Sequence, residues 1–127
     1  MAIFSVHSTL KRPYPRLPFQ KIKTRVLGEK YTLSLVFIGD KKSHSLNKKY
    51  RGKDKPTNVL AFPLSDEEGE IFINLDQVKR EASSFEMNGS SFCAFLFIHG
   101  LLHLEGYPHG SRMEQAEKKL LKEFHFC

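Results

Sequence analysis

The sequence contains little cysteine, no recognisable leader and no long apolar run. Its two cysteines are Cys93, in an apolar stretch, and Cys127, the last residue. A disulfide pair is therefore not expected, and a reducing compartment is the default. Residues 1–6 lack a basic leader with a sustained apolar core, and the apolar run at residues 92–104 is too short to span a bilayer. These absences predict a soluble, cytoplasmic protein that does not enter a membrane.

Length and composition are typical of one compact domain. The chain has 127 residues, of which 40% are hydrophobic and 12% aromatic, mostly phenylalanine, and these can fill a single core. There is no internal repeat, low-complexity segment or linker. We therefore expect one domain over residues 1–127.

Positive charge is concentrated in the first half of the chain. Residues 1–55 contain 14 Lys and Arg but only three acidic residues, whereas residues 56–127 contain six basic and 11 acidic residues. A basic surface favours a polyanion, because cations that neutralise phosphates release counterions from nucleic acid. The alternative is an ordinary solvated face.

Three histidines, His99, His103 and His109, fall within eleven residues. Four residues along a helix turn through about 400°, so the first two project from one face roughly 6 Å apart. Gly106 tolerates the left-handed conformation that commonly ends a helix, so His109 can return as a third ligand. Three protein ligands with an open fourth position are typical of catalytic zinc. The alternative is that these are core histidines with hydrogen-bond partners.

The same spacing occurs in the metalloprotease signature H-E-x-x-H-x-x-G-x-x-H. Here Gly100 stands where that signature has its general-base glutamate. Glu105 does not replace it, because two residues beyond His103 it points about 200° away around the helix. The motif therefore predicts a peptidase-like geometry without the usual base.

Hydrophobic periodicity predicts an α+β fold with a small mixed sheet packed against helices, the central one carrying the histidines. Asp40 and Ser111 are predicted to cap helices. Strands are predicted at residues 31–38, 58–62 and 70–75. Helices are predicted at residues 20–28 and 41–50, from about residue 76, across the first two histidines, and from residue 111.

Three motifs, in order along the chain, resemble the YbeY family of bacterial rRNA maturation factors. They read L-N-K-K-Y-R-G-K-D-K-P-T-N-V-L-A-F-P at residues 46–63, G-E-I-F-I-N at 69–74 and H-G-L-L-H-L-E-G-Y-P-H at 99–109. The resemblance covers roughly residues 31–125, and three ordered matches are more specific than one. The first thirty residues are shorter and richer in proline than the usual opening of the family.

The resemblance implies a metalloprotease-related fold and a zinc-dependent endoribonuclease specific for single strands. It implies a role in 16S rRNA 3′-end maturation and ribosome quality control, with rRNA and the small ribosomal subunit as partners. One Zn²⁺ per chain would be held by His99, His103 and His109. A family arginine falls on Arg51, whose guanidinium could hold a phosphate oxygen. We take Arg51 and His99 as candidate catalytic residues.

Two positions depart from the family pattern. Pro108 replaces an aspartate that could orient a histidine or shape the turn, although proline can stiffen the loop that returns His109. Ala61 stands where serine is frequent. The general base stays unassigned between the zinc-bound hydroxide alone and a carboxylate such as Asp54 or Glu70.

Other residues could bind an RNA strand. Three lysines around Arg51 could line its path, and three aromatic rings could stack an unpaired base, although such rings are more often core. These residues are Lys49, Lys53 and Lys55, and Tyr50, Phe62 and Tyr107. Two other functions stay open: a non-catalytic RNA-binding assembly factor with a structural metal, and a metallopeptidase.

Overall fold

A four-stranded mixed sheet forms the centre of the fold in the computed structural model, which describes residues 2–126. The strands are β1 (Phe4–Ser8), β2 (Thr32–Ile38), β3 (Val59–Ser65) and β4 (Glu68–Asn74). Their order is β1-β2-β4-β3. The first three in that order are parallel, and β3 runs antiparallel to β4 at one edge of the sheet. This edge position of β3 shapes the candidate site described below.

Five α-helices surround the sheet. They are α1 (Phe19–Leu27), α2 (Asp40–Arg51), α3 (Leu75–Glu81), α4 (Gly89–Glu105) and α5 (Ser111–Glu123), with a short 3-10 helix at Ala82–Phe85. Helix α4 is apolar almost all round, and Phe92, Phe97 and Leu101 on it are fully buried. An all-round apolar helix belongs in the interior of a domain. Helix α4 is therefore the central core helix and holds two of the three histidines.

The predicted fold class is confirmed: the protein is α+β, with a small mixed sheet and a central helix that carries the histidines. Two predicted caps are wrong. Gly39 and Gly110 occupy the N-cap positions of α2 and α5, and neither Asp40 nor Ser111 caps a helix with its side chain. The first N–H of α2 instead donates to Oδ2 of Asp76 at 2.9 Å, a contact from a different helix that local sequence does not reveal.

Strand β1 was not predicted. Phe4 and Val6 alternate with polar residues as a strand requires, but only two apolar positions mark it. Its place in the sheet comes from parallel pairing with β2, which aligns Phe4 with Leu33. Such pairing between distant segments is not encoded by local periodicity.

Within residues 2–126, no single helix is both long enough and apolar enough to cross a bilayer. One pair of helical segments, Leu75–Phe85 and Gly89–Glu105, is long and apolar enough for a membrane span when taken together, but the two segments meet at an angle of 104°.

Candidate metal centre

The three predicted histidines come together at the C-terminal end of α4. One ring nitrogen from each of His99, His103 and His109 lies within 4.8 Å of the others. The ring centroids of His103 and His109 are 4.3 Å apart, and those of His99 and His103 are 4.9 Å apart. Helical spacing accounts for the positions of His99 and His103, which share one face of α4. The three side chains are positioned to hold one metal ion.

Gly106 ends α4 and returns the chain toward the site. Its φ of 109° lies in the left-handed region that favours glycine. The N–H of Gly106 donates to the carbonyl of His103, and that of Tyr107 donates to the carbonyl of Leu102, both at 3.0 Å. These two bonds form a Schellman motif, which satisfies the last carbonyls of the helix. The motif fixes where the loop leaves α4 and hence where His109 lies.

Glu117 on α5 contacts one of the three histidines. Its Oε2 lies 2.5 Å from Nδ1 of His99, and its side chain is only 7% exposed. When Nδ1–H of His99 donates to this carboxylate, the Nε2 lone pair is free for a metal. Histidines that bind metals usually donate their other ring N–H in this way, which fixes the tautomer and raises ligand basicity.

The donor set matches what a transition metal binds. Burial lowers the pKa of His103 below its ordinary value, and the neighbouring His99, His109 and Arg51 lower it further. The neutral form of His103 is therefore favoured at neutral pH, and neutral imidazole is the form that coordinates zinc. The three residues thus fit a metal in geometry, and His103 also fits it in protonation.

Gly100 lets α4 lie close to the sheet. A Cβ built at this position would be 3.0 Å from Cδ1 of Ile71 on β4 and 3.3 Å from its Cγ2. A side chain there meets strand β4. The glutamate of the peptidase signature is therefore absent at a position where the helix–sheet packing leaves little room for it.

A cleft of about 440 Å³ opens beside the histidines and extends around the free edge of β3. Its lining comprises the three histidines with Gly100, Tyr50 and Arg51 at the end of α2, and residues 57–62 in and before β3, the cleft floor. The structure therefore brings Arg51 into the same cleft as the three histidines. Arg51 and His99, the two candidate catalytic residues, both line it.

Other predicted site residues are not brought into this cleft. Asp54 lies in an exposed loop, where its Oδ1 is 2.6 Å from Nε2 of His44. Glu70 faces Phe62 across the β3–β4 ladder, and Tyr107 lines a separate groove next to Pro108. Among residues 2–126, no carboxylate lines the cleft. Neither carboxylate considered as a general base is in place to act as one.

The three lysines considered as contacts for an RNA strand also lie outside the lining of the cleft. Lys53 and Lys55 are in the loop that follows Arg51. Lys49 lies two residues before the end of α2, with its ammonium 5.2 Å from the Tyr50 ring centroid. All three are exposed on segments that border the cleft.

Buried polar side chains hold the cleft floor in place. Ser43 on α2 is fully buried, and its hydroxyl accepts from Thr57 N–H at 2.9 Å and donates to the Thr57 carbonyl at 2.8 Å. Asn47, also fully buried, donates to the Lys55 carbonyl at 2.8 Å. Asn74 donates to the Thr57 carbonyl at 3.1 Å. The segment from Arg51 to the start of β3 is therefore fixed by side chains rather than by regular structure.

Sequence reasoning missed two parts of this arrangement. Glu117 was not predicted, yet a signal existed: it lies on the apolar stripe of α5, four residues after Met113 and four before Leu121. A lone carboxylate on a buried stripe is costly without a partner. The roles of Ser43 and Asn47 were also missed, because polar residues on a helix ordinarily face solvent, whereas these two are buried on α2.

Comparison with known proteins identifies the family. The family model described as Endoribonuclease YbeY matches residues 15–125. Curated relatives named Endoribonuclease YbeY include one from Acholeplasma laidlawii, 37% identical over 76% of this chain and 74% of its own. Another, from Wolbachia, is 41% identical over 73% of this chain and 65% of its own.

Fold comparison agrees with this assignment. A solution structure of a protein from Thermotoga maritima superposes with a TM-score of 0.67 at 24% identity, over 96% of this chain and 89% of that one. At that identity the likeness concerns the fold alone. The family model and the relatives decide the family, and this chain belongs to the YbeY endoribonuclease family.

Proposed function

We propose that this protein is a zinc-dependent endoribonuclease that cuts single-stranded RNA in maturation of the 16S rRNA 3′ end and in ribosome quality control. Family membership supports endoribonuclease activity. The observation that carries the proposal is the cleft itself: among residues 2–126, its lining includes three clustered histidines and Arg51 but no carboxylate. Such a lining favours an anionic phosphodiester over a peptide.

In this proposal one Zn²⁺ per chain is held by His99, His103 and His109, and residues 1–127 work as one metal-dependent hydrolase domain. When bound, the ion would supply Lewis acidity and lower the pKa of a water molecule toward about 7. Glu117 holds the His99 ring with Nε2 turned to the site.

Arg51 binds the substrate in this mechanism. A guanidinium offers several N–H donors in a fixed plane and can contact two oxygens of one phosphate. Its place in the same cleft as the histidines lets it hold the phosphate whose bond is cut and stabilise charge that develops there. The basic first half of the chain adds attraction for the rest of the strand.

A partner set follows from the same proposal. The substrate is single-stranded rRNA in or near the small ribosomal subunit, which sets the cytoplasm as the place of action. No membrane partner is part of it.

A non-catalytic RNA-binding assembly factor with a structural metal is the second candidate. It is favoured by one observation: no carboxylate lines the cleft among residues 2–126, so an acid–base side chain of the kind common in hydrolases is missing. A metallopeptidase is disfavoured by the same observation and by the close packing of Gly100 on Ile71.

The test compares wild-type protein with His103→Ala on a labelled single-stranded RNA and on its duplex. We expect wild type to cut the single strand and His103→Ala, purified in parallel, to lose at least about a hundredfold in rate because the metal is no longer held. Equal product from both proteins would assign the cutting to a contaminant and overturn the enzyme. Cleavage of peptides but not of RNA would identify a peptidase instead.

A further inference from the structure

The free edge of β3 lines the cleft beside the histidines. Within residues 2–126, strand β3 pairs only with β4 and forms an outer edge of the sheet. The cleft is lined by the histidines, by Tyr50 and Arg51, and by residues 57–62 in and before β3. A substrate that contacts both the histidines and Arg51 therefore lies beside the unpaired backbone of β3.

The register identifies which backbone groups point outward. Asn74 N–H donates to the Asn58 carbonyl at 2.9 Å, so these two residues form a hydrogen-bonded pair. Two residues further along β3, the next pair of this kind in the antiparallel ladder is Leu60 with Phe72. Residues in an antiparallel strand alternate, so that every second one directs its N–H and carbonyl to its partner strand. Because Asn58 and Leu60 bond to β4, Val59 and Ala61 direct their N–H and carbonyl groups away from it, into the cleft.

This outward edge is short. The next outward position is Pro63, which has no N–H, and the pairing register shifts between Pro63 and Ser65. Only Val59 and Ala61 therefore offer a donor and an acceptor together. A peptide that adds as a strand draws its affinity from a longer series of main-chain bonds. By contrast, a single planar group with adjacent donor and acceptor atoms needs the N–H and carbonyl of only one residue.

The surroundings of the edge suit a nucleotide base. Tyr50 and Phe62 both line the cleft with ring centroids 5.3 Å apart, and Tyr50 is 58% exposed. Exposed aromatic rings stack unpaired bases, and Arg51 beside them supplies a cation for the adjoining phosphate. Stacking and main-chain hydrogen bonds would thus act on the same base.

We propose that the outward main-chain groups of Val59 and Ala61 bind the Watson–Crick edge of one unpaired base next to the bond that is cut. The proposal rests on the proposed ribonuclease function and extends it. All four bases have neighbouring donor and acceptor atoms on that edge, so the contact carries no base preference. In a duplex the edge is already paired, so the same contact accounts for selectivity toward single strands.

The test uses a short single-stranded RNA with one cleavage site. At each nucleotide in turn, the base is removed or replaced by N3-methyluridine, in which the Watson–Crick edge is blocked. With metal-loaded wild type, we expect both changes to slow cleavage about tenfold at one position beside the cut. We also expect them to weaken binding there, measured by fluorescence anisotropy. If no position responds to the blocked edge in either measurement, the proposal is wrong.

Ala61→Pro tests the protein side. Proline is tolerated on an edge strand where the N–H faces away from the sheet, so it removes the outward donor and leaves the β4 ladder intact. We expect this variant to cut the unmodified RNA about tenfold more slowly and to lose the sensitivity to the blocked base. The matched control, Ala61→Ser, keeps the N–H and should keep the sensitivity to the blocked base. Retained sensitivity in Ala61→Pro would overturn the proposal.

The readouts separate this proposal from the nuclease function. Position-dependent binding without any cleavage would overturn the nuclease and support the base contact. Cleavage with no response to the blocked base would support the nuclease and overturn the base contact. If Ala61→Pro does not fold, as judged by circular dichroism, the wild-type series with modified RNA still decides. Competition by an extended peptide, with no effect of base methylation, would show that the edge binds a polypeptide and not a base.

Discussion

Nδ1 of His99 on α4 and the buried Oε2 of Glu117 on α5 lie 2.5 Å apart. This contact joins the last helix of the chain directly to the candidate metal centre. It supplies the metal centre with a carboxylate, although residue 108 of this chain is proline. The orientation of His99 thus depends on how α5 packs against α4.

We predict that Glu117→Ala lowers zinc affinity about 10- to 100-fold, the usual cost of removing a partner that orients a metal ligand. Competition with a chromophoric chelator measures this affinity. Glu117→Gln is the matched control, because its amide oxygen can still accept from His99, and it should lose less. Equal zinc affinity in wild type and Glu117→Ala would mean that the carboxylate does not act on the metal site.

The cleft floor gives a second prediction. Ser43→Ala removes both bonds to Thr57 and leaves its backbone groups without this partner, so we expect a loss of about 1–3 kcal/mol in the free energy of unfolding. RNA cleavage should fall as well, since Thr57 lines the cleft. Ser45→Ala, on the exposed side of the same helix, is the control and should be neutral in urea denaturation. A neutral Ser43→Ala would show that the loop does not depend on this side chain.

Gly100 gives a third prediction, on packing. Gly100→Ala improves helix propensity but brings a methyl group to 3.0 Å from Cδ1 of Ile71, and we expect a net loss of about 1 kcal/mol. Ile71→Val removes that carbon, so the double variant should be more stable than the sum of the single changes predicts. Chemical denaturation of the four proteins measures this coupling. Strict additivity would mean that Ile71 does not limit the approach of α4 to β4.

The pH dependence of stability gives a fourth prediction. The Arg80 guanidinium, and then Asn74, hold the pKa of Asp40 below its ordinary value of 3.8. A carboxylate with a lowered folded-state pKa stabilises the fold above its unfolded pKa, and this contribution is lost as the pH falls below 3.8 through the folded value. Asp40→Asn should therefore be less stable at neutral pH and show a shallower loss of stability in acid.

Urea denaturation between pH 3 and 7 measures this effect, with Asp66→Asn in the exposed β3–β4 turn as the control. The prediction fails if Asp40→Asn and wild type lose stability in parallel across that range.

The local parts of the site could be predicted from the sequence. The separation of His99 and His103 by four residues fixes their common face, and Gly106 marks the point where the chain turns back. Arg51 entered through the family resemblance, and the fold then brings it into the same cleft. Each of these inferences needed only spacing, one backbone preference or a motif.

The rest depends on contacts between distant segments. Asp40 looked like a helix cap, but the side chain of Asp76 takes that role from another helix. Glu117 meets His99 only after α5 folds back on α4. The edge position of β3, which exposes the backbone of Ala61, follows from the strand order and not from the sequence of the strand itself. No local pattern carries this information.

The most direct measurement titrates metal-free protein with Zn²⁺ and records cleavage of single-stranded RNA at each step. If His99, His103 and His109 form one site, cleavage should rise until one equivalent of zinc per chain is bound and then level off. His109→Ala should show neither tight binding nor the rise. Full cleavage by the metal-free protein, or an identical titration curve for His109→Ala, would contradict the assignment of these histidines as the catalytic metal site.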